Sequence, residues 1–249
     1  MSSVFVDLGR KIGEEAVPIP PQAYPHLHRI TGMLARLEQS ASPSPLSASF
    51  KERYASILSA VESFQKVVVE RSAYSVTCKK RCTACCNHWV EDVNSFEAII
   101  IADYLKKNQP DRLDNIRQQC EADCRELERL ELLVNERLYG NENIVEKYSF
   151  DSVDLLLNVF YQMQRPCPLL TAEGDCSVYH LRPITCRMYV SFSDPLHCSA
   201  EYINSNVVPT CLIDLSEEAN QIIDTLHFRY LRYEGDTGLR SLLVKHLSE

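Results

Sequence analysis

Four cysteines near residue 80 form the first feature of the sequence that could do chemistry. Their pattern is C-x3-C-x2-C-C, made by Cys78, Cys82, Cys85 and Cys86. Thiolates this close together repel one another unless a cation neutralises them, so the pattern predicts metal ligation rather than structural cysteine. The basic residues Lys79, Lys80 and Arg81 would lower the thiol pKa values and help to balance the charge.

A second, looser cysteine group lies about 80 residues further along the chain. Cys167, Cys176 and Cys186 are separated by eight and nine intervening residues, in a stretch rich in proline and short of periodicity. Tertiary contacts can draw such loops together, so these three cysteines are predicted to bind metal as well. Cys198 is included as an eighth ligand, and Cys211 is a weaker candidate.

The ligand pattern favours an iron–sulfur centre, with zinc as the alternative. Structural zinc sites usually present paired C-x2–4-C knuckles, whereas the first group here has adjacent Cys85 and Cys86 and the second has no short pair. Adjacent cysteines can reach different irons of a 4Fe–4S cluster or bridge two centres. Eight thiols could hold two centres, and one centre with spare cysteines fits equally well. Arg182 and Arg187 are predicted to lie beside the bound cofactor and offset its negative charge.

Several further residues have types that suit metal binding, and most of them have a simpler interpretation. Cys120 and Cys124 are four residues apart on a predicted helix, where they share an apolar stripe, so core packing is the better interpretation. His88, His180 and His197 flank ligand cysteines, and each could be a ligand, a proton carrier or a solvated loop residue.

The sole tryptophan and two acidic residues follow the first cysteine group. Trp89 is predicted to pack over the metal centre rather than to bind a substrate. Glu91 and Asp92 could serve as a base, although exposed acids at the start of a helix are the commoner explanation.

The elements that must position the cysteines are predicted to be helices. Apolar residues recur at helical spacing, and no alternating run long enough for a strand is found. The predicted helices cover residues 26–39, 49–76, 96–106, 110–139, 151–161, 216–230 and 237–247. The fold class is therefore predicted to be mainly α: a helical bundle with irregular cysteine-rich metal-binding loops.

Composition and charge exclude several classes of function. With only 7 glycines in 249 residues, the chain has neither a G-x-G-x-x-G nor a Walker A phosphate loop. Its net charge of −8 gives no general attraction to nucleic acid or to an anionic membrane. Neither a signal-peptide core nor an apolar run long enough for a bilayer is found. A cytoplasmic location is therefore expected, where 11 cysteines point to metal or redox chemistry rather than disulfides.

Four short sequence elements together carry a family resemblance over about residues 76 to 200. The C-x3-C-x2-C-C group is followed by the C-P-x-L segment at Cys167, by G-x-C-x-x-Y at Gly174, and by R-P-x-x-C-R from Arg182 to Arg187. In this order they resemble the YkgJ-type cysteine-cluster family, a zinc- or iron-chelating domain. The resemblance implies a metal-binding cysteine cluster, related to the cluster of flagellin lysine N-methylases, where it looks like an iron–sulfur centre.

Two functional hypotheses follow from the cysteines and the resemblance together. In the first, an iron–sulfur protein has a redox or protein-modifying role, with S-adenosylmethionine as a cofactor and lysine methylation as the related reaction. In the second, structural zinc supports a binding or adaptor module without catalysis. Under both hypotheses, the protein acts on or binds another protein. The predicted organisation is an N-terminal helical extension (1–75), a cysteine-cluster domain (76–215) and a C-terminal helical cap (216–249).

Overall fold

The structure is a computed structural model that describes residues 5–7, 19–40, 42–71, 78–79, 81–139, 152–191, 198, 210–235 and 238–249. Within these ranges, eight α-helices make up most of the chain. They are α1 (Tyr24–Gln39), α2 (Ala48–Arg71), α3 (Ser95–Asn108), α4 (Leu113–Tyr139), α5 (Ser152–Gln162), α6 (Ile184–Met188), α7 (Glu217–Tyr230) and α8 (Leu239–Ser248). The prediction of a mainly α fold is confirmed.

Two of the helices begin at residues whose side chains cap them. At the start of α3, the Glu97 carboxylate accepts hydrogen bonds from the backbone N–H of Asn94 at 3.0 Å and from its side-chain amide at 2.9 Å. At the start of α7, the hydroxyl of Ser216 accepts from the N–H of Ala219 at 3.2 Å. Caps of this kind are worth about 1 kcal/mol each. The predicted helix over 49–76 is observed as α2, and its last predicted residues, 72–76, lie outside the described residues.

The largest hydrophobic core is built by α1, α2, α3 and α7. At its centre, Phe50 of α2 meets Phe96 of α3 and Tyr230 of α7 edge to face, with ring centroids 5.9 and 5.4 Å apart. Such pairs add about 0.5–1.5 kcal/mol each beyond the burial of their area. Ile184 and Met188 of α6 belong to the same core, so the helix that carries Cys186 is fixed by this packing.

This core joins residues from all three predicted segments of the chain. The N-terminal helices α1 and α2 bury their apolar faces against α7, from the predicted cap, and against α3 and α6, from the predicted cysteine-cluster domain. The division at residues 75 and 215 stays a prediction. Among the described residues, no helix combines the length and the apolar character that a membrane span requires.

A second hydrophobic core lies beside the loops that carry the cysteines. Helices α3, α4 and α8 contribute buried side chains such as Ile101, Ile116 and Leu243, and the segment between α5 and α6 adds Leu169 and Val178. The half-buried side chains of Cys167 and Cys176 pack against this core. The irregular second cysteine group is therefore supported by regular helices.

Three short strands, which the sequence does not single out, form an antiparallel sheet. The strands are β1 (Phe5–Asp7), β2 (Tyr189–Ser191) and β3 (Thr210–Ile213), in the spatial order β1-β3-β2. Strands of three or four residues are too short to show a period of two in the sequence. Because β2 directly follows α6, the sheet fixes the chain just after Cys186.

Candidate metal centre

The first cysteine group is folded by a series of tight turns. The N–H of Cys82 donates to the carbonyl of Lys79 at 2.9 Å, and the N–H of Cys86 donates to the carbonyl of Thr83, also at 2.9 Å. Residues Ala84–Asn87 then form one 3₁₀ turn. Each turn reverses the chain within four residues, so the four thiols of this group stay in one small region.

The second group is held by a compact hairpin-like loop between α5 and α6. Leu170 and Cys176 form an isolated antiparallel bridge, and the N–H of Ser177 donates to the carbonyl of Leu169 at 2.8 Å. The turn of this loop places Gly174 at φ +81°, a backbone conformation that favours glycine. The loop thereby brings Cys167 and Cys176 close together, although eight residues separate them in the sequence.

The two cysteine groups meet directly through the backbone. The N–H of Cys167 donates to the carbonyl of Cys86 at 2.8 Å. On the outside, the guanidinium of Arg81 pairs with the carboxylate of Asp175 at 3.1 Å, next to Cys176. The side chain of Arg81 therefore bridges the two loops, and its effect on the thiols of its own group stays a prediction.

Electrostatic interactions connect thiols of both groups, and Cys85 takes part in most of them. A hydrogen bond from the Cys86 thiol is the largest cause that lowers the pKa of Cys85 to about 7, and the Arg182 guanidinium adds to it. The negative charge of Cys85 in turn raises the pKa of Cys78 in the first group and of cysteines in the second group, which are Cys167, Cys176 and Cys186. Burial is the largest cause of the raised pKa at each of these four thiols. A bound metal cation would reverse this penalty by stabilising the thiolates.

Backbone N–H groups donate hydrogen bonds to several of the sulfur atoms. The N–H of Ser191 donates to the Sγ of Cys78 at 3.3 Å. Hydrogen bonds from the backbone of Leu169 and Val178 lower the pKa of Cys167 and Cys176, respectively, against the larger effect of burial. Thiols with such donors are ligands of the type that binds zinc or an iron–sulfur cluster. Among the described residues, however, no three Cys, His, Asp or Glu side chains have the geometry that holds a metal ion.

Arg182 is the cation that acts most widely on the thiols. Its positive charge lowers the pKa of Cys85, Cys176 and Cys186, in each case against the effect of burial. Its Nε atom is buried and has no hydrogen-bond partner among the described residues. A buried donor beside these thiols suits a residue next to an anionic cofactor, and that role of Arg182 stays a prediction.

Arg187 also lies near the second cysteine group, but its guanidinium donates hydrogen bonds to other residues of the protein. Its side chain is 1% exposed and donates to the carbonyls of Arg182 at 2.8 Å, Tyr179 at 3.0 Å and His180 at 3.1 Å, and to the carboxylate of Glu62. These bonds fix the turn between Cys176 and Cys186. Arg187 therefore positions Cys176 and Cys186, and its positive charge lowers the pKa of Cys176 against the effect of burial.

Three aromatic rings flank the outer part of the first cysteine group. His88 stacks on Tyr161 with ring centroids 3.9 Å apart, and Tyr189 lies 5.6 Å from His88. The Tyr161 hydroxyl donates to the carbonyl of Cys198, which places that cysteine beside the rings. Burial lowers the pKa of His88 to about 4, with Arg240 as the second cause, so the imidazole is neutral at physiological pH.

The remaining candidates from the sequence have different surroundings. Trp89 packs with Leu130 and Phe160 in a small third core; the rings beside the thiols are those of His88, Tyr161 and Tyr189. His180 is exposed, and its ring lies 4.7 Å from that of Tyr104. The candidates that fall outside the described residues are His197 and, for its side chain, Cys211.

Cys120 is fully buried in the second core, as its helical spacing predicts, and Cys124 is half-buried beside the third. Burial is the main cause of the raised pKa of Cys120, and the charge of Cys167 is the second.

We expect Cys120→Ala to leave the metal content of the protein unchanged and to cost about 1 kcal/mol of stability. Metal analysis and a thermal melt check this. Loss of a metal equivalent would instead make Cys120 a ligand.

Glu97 is a buried residue at the site that the sequence pattern does not single out. Its side chain is 1% exposed. Besides capping α3, it accepts hydrogen bonds from the hydroxyl of Tyr54 and, at 2.9 Å, from the N–H of Ile184. Ile184 is the first residue of α6, so Glu97 fixes the helix on which Cys186 lies. Its position three residues after Asn94 indicates its role in capping α3 but not its contacts with Tyr54 and Ile184.

A cleft of about 480 Å³ borders the same helix. Ile184, Thr185 and Met188 of α6 line one wall. Three carboxylates lie around the cleft, those of Asp92, Asp214 and Asp224, and no Lys or Arg is among its lining residues in the described part of the chain. Phe228, 69% exposed, completes an apolar edge. The cleft is therefore acidic and partly apolar.

A comparison with protein families finds one that covers the cysteine-bearing part of the chain. Residues 77–211, just over half of the sequence, match the model of the CxxCxxCC family, described as a "putative zinc- or iron-chelating domain". No curated protein and no solved structure matches the chain.

Proposed function

Because the chain belongs to the CxxCxxCC family of zinc- or iron-chelating domains, we propose that it binds an iron–sulfur centre and has a redox or protein-modifying role. The proposed ligands are the eight cysteines Cys78, Cys82, Cys85, Cys86, Cys167, Cys176, Cys186 and Cys198. The observation that carries this proposal is the backbone hydrogen bond from Cys167 to Cys86, which joins the two cysteine groups.

The roles of the surrounding residues follow from their charges and contacts. Arg182, with its unpartnered buried Nε among the described residues, would donate to the anionic centre. Arg187 would hold the turn that carries Cys176 and Cys186. The backbone N–H of Ser191 would stabilise the thiolate of Cys78. When bound, an iron–sulfur cluster supplies one-electron chemistry at a potential tuned by such hydrogen bonds and by burial.

The pattern of adjacent cysteines in the first group favours an iron–sulfur cluster over zinc. Cys85 and Cys86 are adjacent, and the hydrogen bond between their thiols keeps both sulfurs in one place. Two adjacent sulfurs suit the several irons of a 4Fe–4S cluster better than a zinc knuckle, which uses a C-x2–4-C pair. The proposal places the protein in the cytoplasm, where its thiols stay reduced.

A protein-modifying role, with S-adenosylmethionine as cofactor and a lysine-bearing protein as substrate, is the specific form of this proposal. The acidic cleft beside α6 supports a protein partner, because its three carboxylates complement a basic side chain and its apolar wall suits the side-chain stem. Binding of S-adenosylmethionine to the metal-loaded protein tests this form, and a protein that binds none would contradict it.

The alternative function is a structural-zinc binding or adaptor module without catalysis. The acidic cleft favours this alternative equally, since a partner can dock there without being modified. Zinc and iron–sulfur differ in colour, because Zn²⁺ is d¹⁰ and gives a colourless protein.

The deciding experiment is purification without oxygen, followed by an optical spectrum and analysis of iron, zinc and acid-labile sulfide. We expect a brown protein in which iron and sulfide are present in equal amounts. A colourless protein with stoichiometric zinc and no iron would contradict the cluster and leave the adaptor function. A protein that holds neither metal after reconstitution would contradict both.

A further inference from the structure

Arg240, on α8, is a buried cation paired with a buried carboxylate. Its side chain is 1% exposed, and its Nε donates to the Oδ2 of Asp123 on α4 at 2.9 Å. Asp123 is equally buried and also accepts from the Nε of Arg165 at 2.6 Å. Burying these charges is costly, and removal of one partner leaves the other charge uncompensated, which destabilises a protein.

The other nitrogens of Arg240 bind the two loops that carry the cysteines. One donates to the carbonyl of His88 at 2.8 Å, and another donates to the carbonyl of Arg165 at 3.0 Å. His88 is two residues after Cys86, and Arg165 is two residues before Cys167. One guanidinium therefore holds both loops next to the point where Cys167 donates to Cys86.

The charge of this group is also favourable for an anionic centre. Asp123 carries one negative charge and the two arginines carry one positive charge each, so the buried group has a net charge of +1. Positive charge near a metal centre stabilises its more negative state, which raises the reduction potential of an iron–sulfur cluster.

Neither the cysteine pattern nor the family match accounts for Arg240. It lies 29 residues beyond the matched range, which ends at residue 211. It is held by Asp123, a residue of α4 that lies outside the cysteine groups. We propose that Asp123 and Arg240 are positioning residues for the metal centre: they set the spacing of Cys86 and Cys167 and supply a buried positive charge. This inference rests on the proposed metal binding.

The test compares three variants of the full chain. Arg240→Gln removes the positive charge, Arg240→Lys keeps it but cannot reach both carbonyls, and Arg232→Gln is the matched control. Arg232 is half-exposed in the same C-terminal segment and pairs with Glu249 at 2.7 Å. The readouts are the affinity for Zn²⁺, measured by competition with a chelator, and the reduction potential of the iron-loaded protein.

We expect Arg240→Gln to weaken Zn²⁺ binding by about 10–100-fold, the usual effect of losing a residue that orients metal ligands. Its reduction potential should become more negative, whereas Arg240→Lys should weaken Zn²⁺ binding less and keep a potential close to that of the wild type. Arg232→Gln should change neither quantity. General destabilisation would not change the reduction potential according to the charge at residue 240, so the potential separates the proposed role from a merely structural one.

Several outcomes would overturn the inference. If Arg240→Gln folds and retains wild-type Zn²⁺ affinity and potential, the pair has no role at the centre. If Arg240→Gln does not fold, Arg240→Lys decides, and unchanged Zn²⁺ affinity in that variant overturns the positioning role. Failure of the wild-type protein to bind any metal would instead overturn the proposed function, so the two failures are distinguishable.

Discussion

Replacing Cys85 by serine is expected to remove the bound metal from both cysteine groups. Cys85 interacts electrostatically with Cys78 in the first group and with three thiols of the second, and it accepts a hydrogen bond from the Cys86 thiol. A serine hydroxyl does not ionise near neutral pH and is a poor ligand for iron or zinc. We expect the iron and sulfide content to fall by more than half and the visible absorbance to fall with them.

The effect on folding separates the two candidate functions. The largest core lies mainly between helices outside the cysteine loops, so in the iron–sulfur case Cys85→Ser should keep its helical circular dichroism while it loses colour. If zinc were structural, its binding energy would be part of the folding energy, and the variant would unfold together with metal loss. Cys120→Ala is the matched control, because Cys120 is a buried thiol on a helix. A Cys85→Ser protein with full metal content would contradict the proposed ligand set.

Local patterns in the sequence predict the helices and the two cysteine groups. The caps at Asn94 and Ser216 act within three residues, and the C-x3-C-x2-C-C group folds through turns of four residues. Such features depend on neighbours in the chain, so they can be predicted from the sequence. The strands β2 and β3 are missed because each is shorter than five residues and pairs with a distant segment.

The residues that organise the site depend on distant partners and could not be predicted in this way. Arg240 binds the carbonyl of His88, 152 residues earlier in the chain, and Glu97 binds Ile184, 87 residues later. Arg81 illustrates the same limit. Its position between two cysteines predicts an effect on their thiols, but the nearest carboxylate belongs to Asp175, 94 residues away. An ion pair forms with the closest opposite charge, whatever its position in the sequence.

Glu97→Gln is expected to cause a large loss of stability. The carboxylate accepts from four donors: the Tyr54 hydroxyl, the N–H of Ile184, and the N–H and side-chain amide of Asn94. The glutamine amide has only one accepting oxygen. Its NH₂ group must therefore face either the donors of Tyr54 and Ile184 or the two donors of Asn94. Leaving buried donors without an acceptor costs about 1–3 kcal/mol each. We expect a total loss of about 3 kcal/mol, which lowers the Tm by roughly 6–12 °C for a chain of this size.

This change should also weaken metal binding, because it releases the start of α6 and thereby Cys186. Burial and the neighbouring Glu97 charge raise the pKa of Tyr54 well above its ordinary value, so its hydroxyl stays protonated and needs an acceptor. Glu52→Gln, on the exposed face of α2, is the matched control and should change stability by less than about 0.5 kcal/mol. Thermal melts and metal titrations of the two variants measure both effects. Equal melting temperatures would show that Glu97 does not hold α6, and Cys186 would then be positioned by the packing of Ile184 and Met188 alone.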